Sequence, residues 1–131
     1  MTGEKNLKKL IKGMKPKLNT GTFIFCSVGD LNAINRNETL FEFKEPEGIT
    51  IVLEQAKADA LHLNYSYCSS WITLEIYSSL EAVGLTAAFS TALARAQISC
   101  NVIAGYYHDH IFVAQEDAEK AMNVLKALSN T

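Results

Sequence analysis

Apolar positions recur along this chain in two rhythms, and each switch between them marks an element. Leu7, Leu10, Ile11 and Met14 fall at i, i+3, i+4 and i+7, one face of a helix. "KPKL" then breaks the pattern, and "GTFIFCSV" (Gly21–Val28) reads as a largely buried strand. "GDLNAINRNE" is a turn-rich connection, "TLFEF" (Thr39–Phe43) a second strand, and "KEPEG" a turn with Pro46 and Gly48. "ITIVLEQ" starts as a β-branched strand and runs into a short helix over "EQAKADALHL", after which "NYSYCSS" is a loop.

The second half carries cleaner signals. In "WITLEIYS" Ile72, Leu74 and Ile76 share one face, with Thr73, Glu75 and Tyr77 on the other. From about Val83 to Gln97, Leu85, Ala88, Phe89, Ala92, Leu93 and Ala96 make a helical stripe. "CNVIAGYY" and "DHIFVA" are two strands joined by a turn around Tyr107 to Asp109. "EDAEKAMNVLKAL" closes as a helix with Glu116, Asp117 and Glu119 at its positive end and Lys126 at its negative end.

From Trp71 onward the order is β-α-β-β-α, which predicts an α+β, ferredoxin-like antiparallel sheet with its helices on one face. That arrangement requires a fourth strand beyond the last helix, and "GTFIFCSV" is the expected donor, from the same chain or a partner. The first half, β-β-β-α, has no room for a first helix between Val28 and Thr39. The reading is therefore an N-terminal helix over 1–17, a partial subdomain over 18–70 and a fuller one over 71–131, in tandem or interlocked.

Three segments in this order, "EPEG", "SSLEAVGLTA" and "CNVIAGYYHDHIFV", resemble an uncharacterised prokaryotic ACT-domain family. That family is similar to the regulatory ACT domains of aspartate kinase. The resemblance runs from about Gly21 and is strongest from Ile72 to Val113. It implies an ACT fold and a regulatory module that binds a small ligand, often an amino acid, where two domains or subunits meet. Carried over by position, the loop contributes Ser79, Glu81, Val83, Gly84, Leu85 and Thr86, and the second strand contributes Asn101, Val102 and Ile103. Chemistry supports such a loop: a helix start leaves N–H groups unpaired at the positive end of a dipole, and a glycine admits close approach. A ligand carboxylate could sit there with its ammonium on carbonyls or Glu81. The alternative is that Gly84 only turns the chain and Ser78 or Ser79 caps the helix. An open sheet face and a strand lane to fill predict a homo-oligomer. The chain carries no kinase, dehydratase or dehydrogenase domain of the kind ACT domains often regulate, so any regulated enzyme is expected to be controlled in trans, and no catalytic residues are expected.

Charge changes the picture only at the N-terminus. Of the 131 residues, 1–17 hold six of the twelve lysines and arginines and a single acid, while the rest carries thirteen acids against six basic residues. A basic arm suits nucleic acid or an anionic membrane. The apolar stripe among those lysines instead predicts a docked helix with solvated lysines, so neither partner is expected. Three scattered cysteines, Cys26, Cys68 and Cys100, form no C-x-x-C pair and read as small buried apolar residues in a reducing compartment, the cytoplasm.

"HDH" (His108 to His110) is the one metal-like signal, yet His62 is the only other histidine and a catalytic zinc ordinarily takes three protein ligands. No metal and no cofactor are expected. Two further readings remain open: a structural subunit that binds nothing, and a small metal-dependent enzyme using this segment. Trp71, Tyr106 and Tyr107 could stack bases, but the RNA-recognition consensus is absent and they read as core or subunit-contact residues.

Overall fold

The computed structural model describes residues 6–76 and 82–131. The chain divides into two compact units, a central one over 21–69 and a flanking one made of 1–20 with 70–131.

In the central unit, β2 (Phe23–Val28) pairs antiparallel with β4 (Gly48–Glu54), and β4 pairs with β3 (Thr39–Glu45). The first residues of β5 (Cys68–Glu75) pair on the other side of β2, with Phe23 opposite Ser69. Alternation along β2 and β4 sends Ile24, Cys26, Ile51 and Leu53 to one face, where Ala58 of α2 (Gln55–Ala60) covers them. The unit thus has the strand order β3-β4-β2-β5 of a ferredoxin-like sheet, with a loop in place of its first helix. That loop is built from local bonds: Asp30 Oδ1 accepts from Asn32 N–H, and Asn35 Oδ1 accepts from Asn37 N–H. Leu31 and Ile34 turn inward onto the core, doing for the loop what an apolar stripe does for a helix. Arg36 donates to both oxygens of Glu42 on β3, which also accepts from Thr39 Oγ1. Those bonds, from Arg36 first and then Thr39, hold the Glu42 carboxyl below the usual range.

In the flanking unit, α1 (Leu7–Gly13), α3 (Leu85–Arg95) and α4 (Ala118–Ser129) lie on one face of a sheet ordered β1-β5-β7-β6. Here β6 is Asn101–Ala104 and β7 is Asp109–Ala114. The core joins Leu10 and Met14 from α1 and its end, Ile72, Leu74 and Ile76 from the first strand, and Phe89 and Leu93 from α3. Ile111 and Val113 of β7 and Leu125 of α4 complete it. The expected helical and strand faces are therefore the buried ones, and the lysines of α1 are exposed.

The fourth lane is filled, but not by "GTFIFCSV". It is β1 (Lys15–Leu18), the "KPKL" read from sequence as a break, that pairs with β5, Lys15 opposite Glu75 through Leu18 opposite Ile72. Proline lacks an N–H and is excluded from central strands. β1 pairs only with β5 among the described residues, and at a sheet edge proline is tolerated. β5 also begins three residues earlier than the hydropathy suggests. Ser69 and Ser70 are buried polar residues, and Ser69 Oγ donates to Phe23 O at 2.7 Å, which offsets the cost of its burial. The β6–β7 turn lies two residues earlier than expected, closed by Gly105 N–H to His108 O at 2.9 Å.

The N-terminal helix is a core component of the flanking unit, since Leu10 is only 2% exposed. Leu10→Ala is expected to lower the unfolding free energy in urea by roughly 2–4 kcal/mol, the usual cost of emptying a buried leucine site. Exposed Lys9→Ala is expected to change it by less than about 0.5 kcal/mol.

Candidate functional site

Of the loop residues singled out from sequence, Ser79 and Glu81 lie outside the described residues, as does a cap from Ser78 or Ser79. Val83, Gly84, Leu85 and Thr86 form the entry to α3. Gly84 is the N-cap, with a left-handed φ of +94° that a side-chain-bearing residue adopts only at a cost of about 1–2 kcal/mol. Being glycine, it brings no capping oxygen. The first intrahelical bond runs from Ala88 N–H to Gly84 O at 2.9 Å, and the N–H groups of Leu85, Thr86 and Ala87 have no partner among the described residues. Thr86 is exposed, and Val83 is 83% exposed. A helix start carries a partial positive charge suited to an anion.

The space left by the missing Cβ is used differently from the expectation. A Cβ on Gly84 would lie 3.1 Å from Leu7 Cδ2, so it is the chain's own α1 that approaches the glycine closely. Gly84 therefore has a full structural reason, a left-handed corner under an apolar side chain.

Register pairs Asn101 with Phe112, Val102 with Ile111 and Ile103 with His110. Ile76, just past the end of β5, lies beside His108, whose Nδ1 is 3.3 Å from Ile76 N. Asn101 lies three residues from Ala104 along β6, about 10 Å at the usual rise. Asn101 and Ile103 face away from the helices, and Val102 faces with Ile111 toward them. Among the described residues β6 pairs with β7 alone, leaving its outer N–H and C=O groups available to another strand or a ligand.

On the helix-free face, the two "HDH" imidazoles are engaged internally. Trp71 Nε1 donates to His110 Nδ1 at 3.0 Å, and Thr73 Oγ1 lies 3.2 Å from the same nitrogen. Asn19 Nδ2 donates to Thr73 Oγ1 at 3.0 Å and to Trp71 O at 3.2 Å. With the indole N–H aimed at it, Nδ1 is an acceptor and the imidazole is neutral with its proton on Nε2. Burial, and then the neighbouring charge of His108, lower the His110 pKa. Gly105 makes room for this ring, since a Cβ there would lie 3.2 Å from His110 Nε2 and 2.9 Å from His108 O. Asp109 is held above the usual carboxyl range by burial, opposed by His108. No group of three or more metal-ligating side chains occurs among the described residues.

All three cysteines are free thiols. Burial raises Cys26 and pushes Cys100 up to about 11, which disfavours the thiolate that a nucleophile or metal ligand requires. Sequence reasoning did not single out the Trp71–Thr73–His110–Asn19 cluster. Its members are spread over 92 positions, and only the strand register brings them together. No helix among the described residues is long and apolar enough to cross a membrane.

Comparison with known proteins agrees with this architecture. Two family models, each described as an ACT domain, match residues 2–70 and 68–127. A Vibrio cholerae protein of unknown function, described as a possible transport protein, is 47% identical over 95% of this chain and 97% of its own, with a TM-score of 0.85. An Agrobacterium tumefaciens protein is 16% identical over 88% of this chain and 89% of its own, with a TM-score of 0.73. The ligand-free regulatory subunit of aspartate kinase from Thermus thermophilus is 8% identical over 86% of this chain and 95% of its own, with a TM-score of 0.63. The last two share the fold. No curated protein matches.

The His110 arrangement has a definite pH consequence. Its folded pKa is lowered, so the unfolded chain binds the proton more readily below the free-imidazole value of about 6.5. The contribution of neutral His110 is thus complete above that pH and is lost as pH falls through the folded pKa. Asp109, with its raised pKa, acts in the opposite direction at lower pH. Urea unfolding at pH 7.5 and below 6 is expected to show a smaller loss of stability on acidification for His110→Gln than for the parent chain. The difference between the two isolates this residue from Asp109 and Glu42.

Proposed function

Because the chain belongs to the ACT-domain family, we propose that it is a non-catalytic regulatory module that senses a small polar ligand, an amino acid in the first instance. The binding site is at a domain or subunit interface. The observation that carries this reading is the start of α3, where Gly84 supplies no side-chain cap and the first three N–H groups have no partner among the described residues. A ligand carboxylate accepts from the N–H groups of Leu85 and Thr86, beside Val83, with Ser79 and Glu81 of the preceding loop completing that side. Asn101, Val102 and Ile103 offer backbone groups from a strand edge that is open among the described residues. One copy's loop and a neighbouring module's strand are a natural pair to enclose the ligand, which is why a homo-oligomer belongs to this proposal.

Regulation follows as a population shift. A ligand that touches both modules favours the arrangement in which both are in place, by no more than its differential affinity for the two arrangements. An enzyme under its control is a partner in trans, and the free thiols suit the reducing cytoplasm.

One observation favours a second reading, a structural subunit without ligand: Leu7 already occupies the approach to Gly84. A thermal-shift screen of the intact chain against the standard amino acids separates the two. A ligand at about 100 times its Kd adds about 2.7 kcal/mol, a rise of several degrees in midpoint. Thr86→Trp, at an exposed position that leaves the Gly84 corner intact, is expected to abolish that rise without lowering the unliganded midpoint. No rise with any amino acid would favour the structural subunit.

A further inference from the structure

The loop over residues 29–38 in the central unit stands where a ferredoxin-like unit carries a helix, and it does not fill that helix's place. A cleft of about 180 Å³ opens between the loop and α2. Ile34, Leu53 and Leu61 give it an apolar surface, while Asn35, Glu38 and Lys57 give it charge and polarity. Leu53 is buried, as the sheet residue below; Leu61 is 41% exposed, an aliphatic side chain left at the lip.

Glu38 Oε2 reaches Lys57 Nζ at 3.0 Å, and the two side chains are 41% and 39% exposed. An ion pair so wet is held loosely, and opening it costs little. Asn35 Oδ1 accepts from Asn37 N–H, while its amide NH2 has no partner among the described residues. The cleft therefore presents a carboxylate, an ammonium and an amide donor beside an aliphatic wall. Its volume is well below the roughly 300–1,000 Å³ of drug-sized sites, which excludes a nucleotide or a large cofactor.

We propose that this cleft is a ligand site for a small aliphatic zwitterion. The apolar body lies against Ile34, Leu53 and Leu61, the ammonium meets Glu38, and the carboxylate meets Lys57 and the Asn35 amide. The ligand exchanges one exposed ion pair for two charge-assisted contacts and removes Leu61 from water. A ligand with one charge opens the same pair but satisfies only one of its ends. The site lies wholly within residues 33–61 and does not depend on the α3 niche.

The test is an amide chemical-shift titration of the intact isotope-labelled chain with L-leucine, using isoamylamine and 4-methylpentanoate as single-charge analogues. Saturable shifts confined to Ile34, Glu38, Lys57, Leu61 and their neighbours are expected for leucine. Each analogue is expected to bind at least about fivefold more weakly, the loss of one charge-assisted contact. Lys57→Gln is expected to reduce leucine to the affinity of the amine, and Ala60→Trp, which fills the cleft, to remove the shifts. Thr86→Trp leaves them unchanged, so failure of the α3 reading and failure of this one are distinguishable. Absence of saturable shifts at these residues, or equal affinity for all three compounds, would overturn the proposal. So would a Lys57→Gln chain that folds and keeps full leucine affinity.

Discussion

A sheet edge has to be answered, and the answer here organises the flanking unit. β5 carries a core face of Ile72 and Leu74, and within the flanking unit its side opposite β7 would be left open. β1 closes that side from the other end of the sequence, with Pro16 harmless because β1 is itself the edge. Once β1 is seated, α1 follows directly before it and delivers Leu10 and Met14 to the core. Leu7 on the same helix then comes to rest over Gly84. The strand that completes the fold and the contact that shapes the entry to α3 are thus consecutive consequences of one pairing.

The same economy appears in reverse in the central unit. There the four strand lanes are present and a helix is absent. Leu31 and Ile34 supply part of the missing apolar cover, and Asx-type bonds with a single 3-10 turn over Arg36–Glu38 hold the loop in place of a full helix. The Arg36–Glu42 pair ties the loop to β3. A loop covers less than a helix does, and the cleft beside α2 is what remains uncovered.

The elements whose burial alternates cleanly are legible in the spacing of apolar residues. The α1 stripe, the Ile72–Leu74–Ile76 face, the α3 stripe and the Ile111–Val113 face all point inward as their spacing requires. Spacing misleads where polarity and burial part company. Lys15–Leu18 reads as a breaker because Pro16 and two lysines mask an edge strand, and Ser69 and Ser70 read as loop because their burial is made tolerable by a hydrogen bond rather than by apolarity. The Gly84 corner was legible as the turn into a helix, where a left-handed φ of +94° favours glycine. That Leu7 would cover it was not, because the partners are 77 positions apart and joined only through the β1 pairing. Likewise "HDH" was visible as a motif, whereas its engagement with Trp71 and Thr73 depends on register.

The most direct measurement of this account is native-state hydrogen exchange of the intact chain at the amides of Lys17 and Asn19. Their register places them opposite Thr73 and Trp71, and Asn19 N–H donates to Trp71 O at 2.9 Å. The account predicts that these two amides exchange nearly as slowly as those of β5. Exchange at the rate of an unstructured segment would mean that the N-terminus does not close the sheet, and the reasoning that places α1 over the start of α3 would not stand.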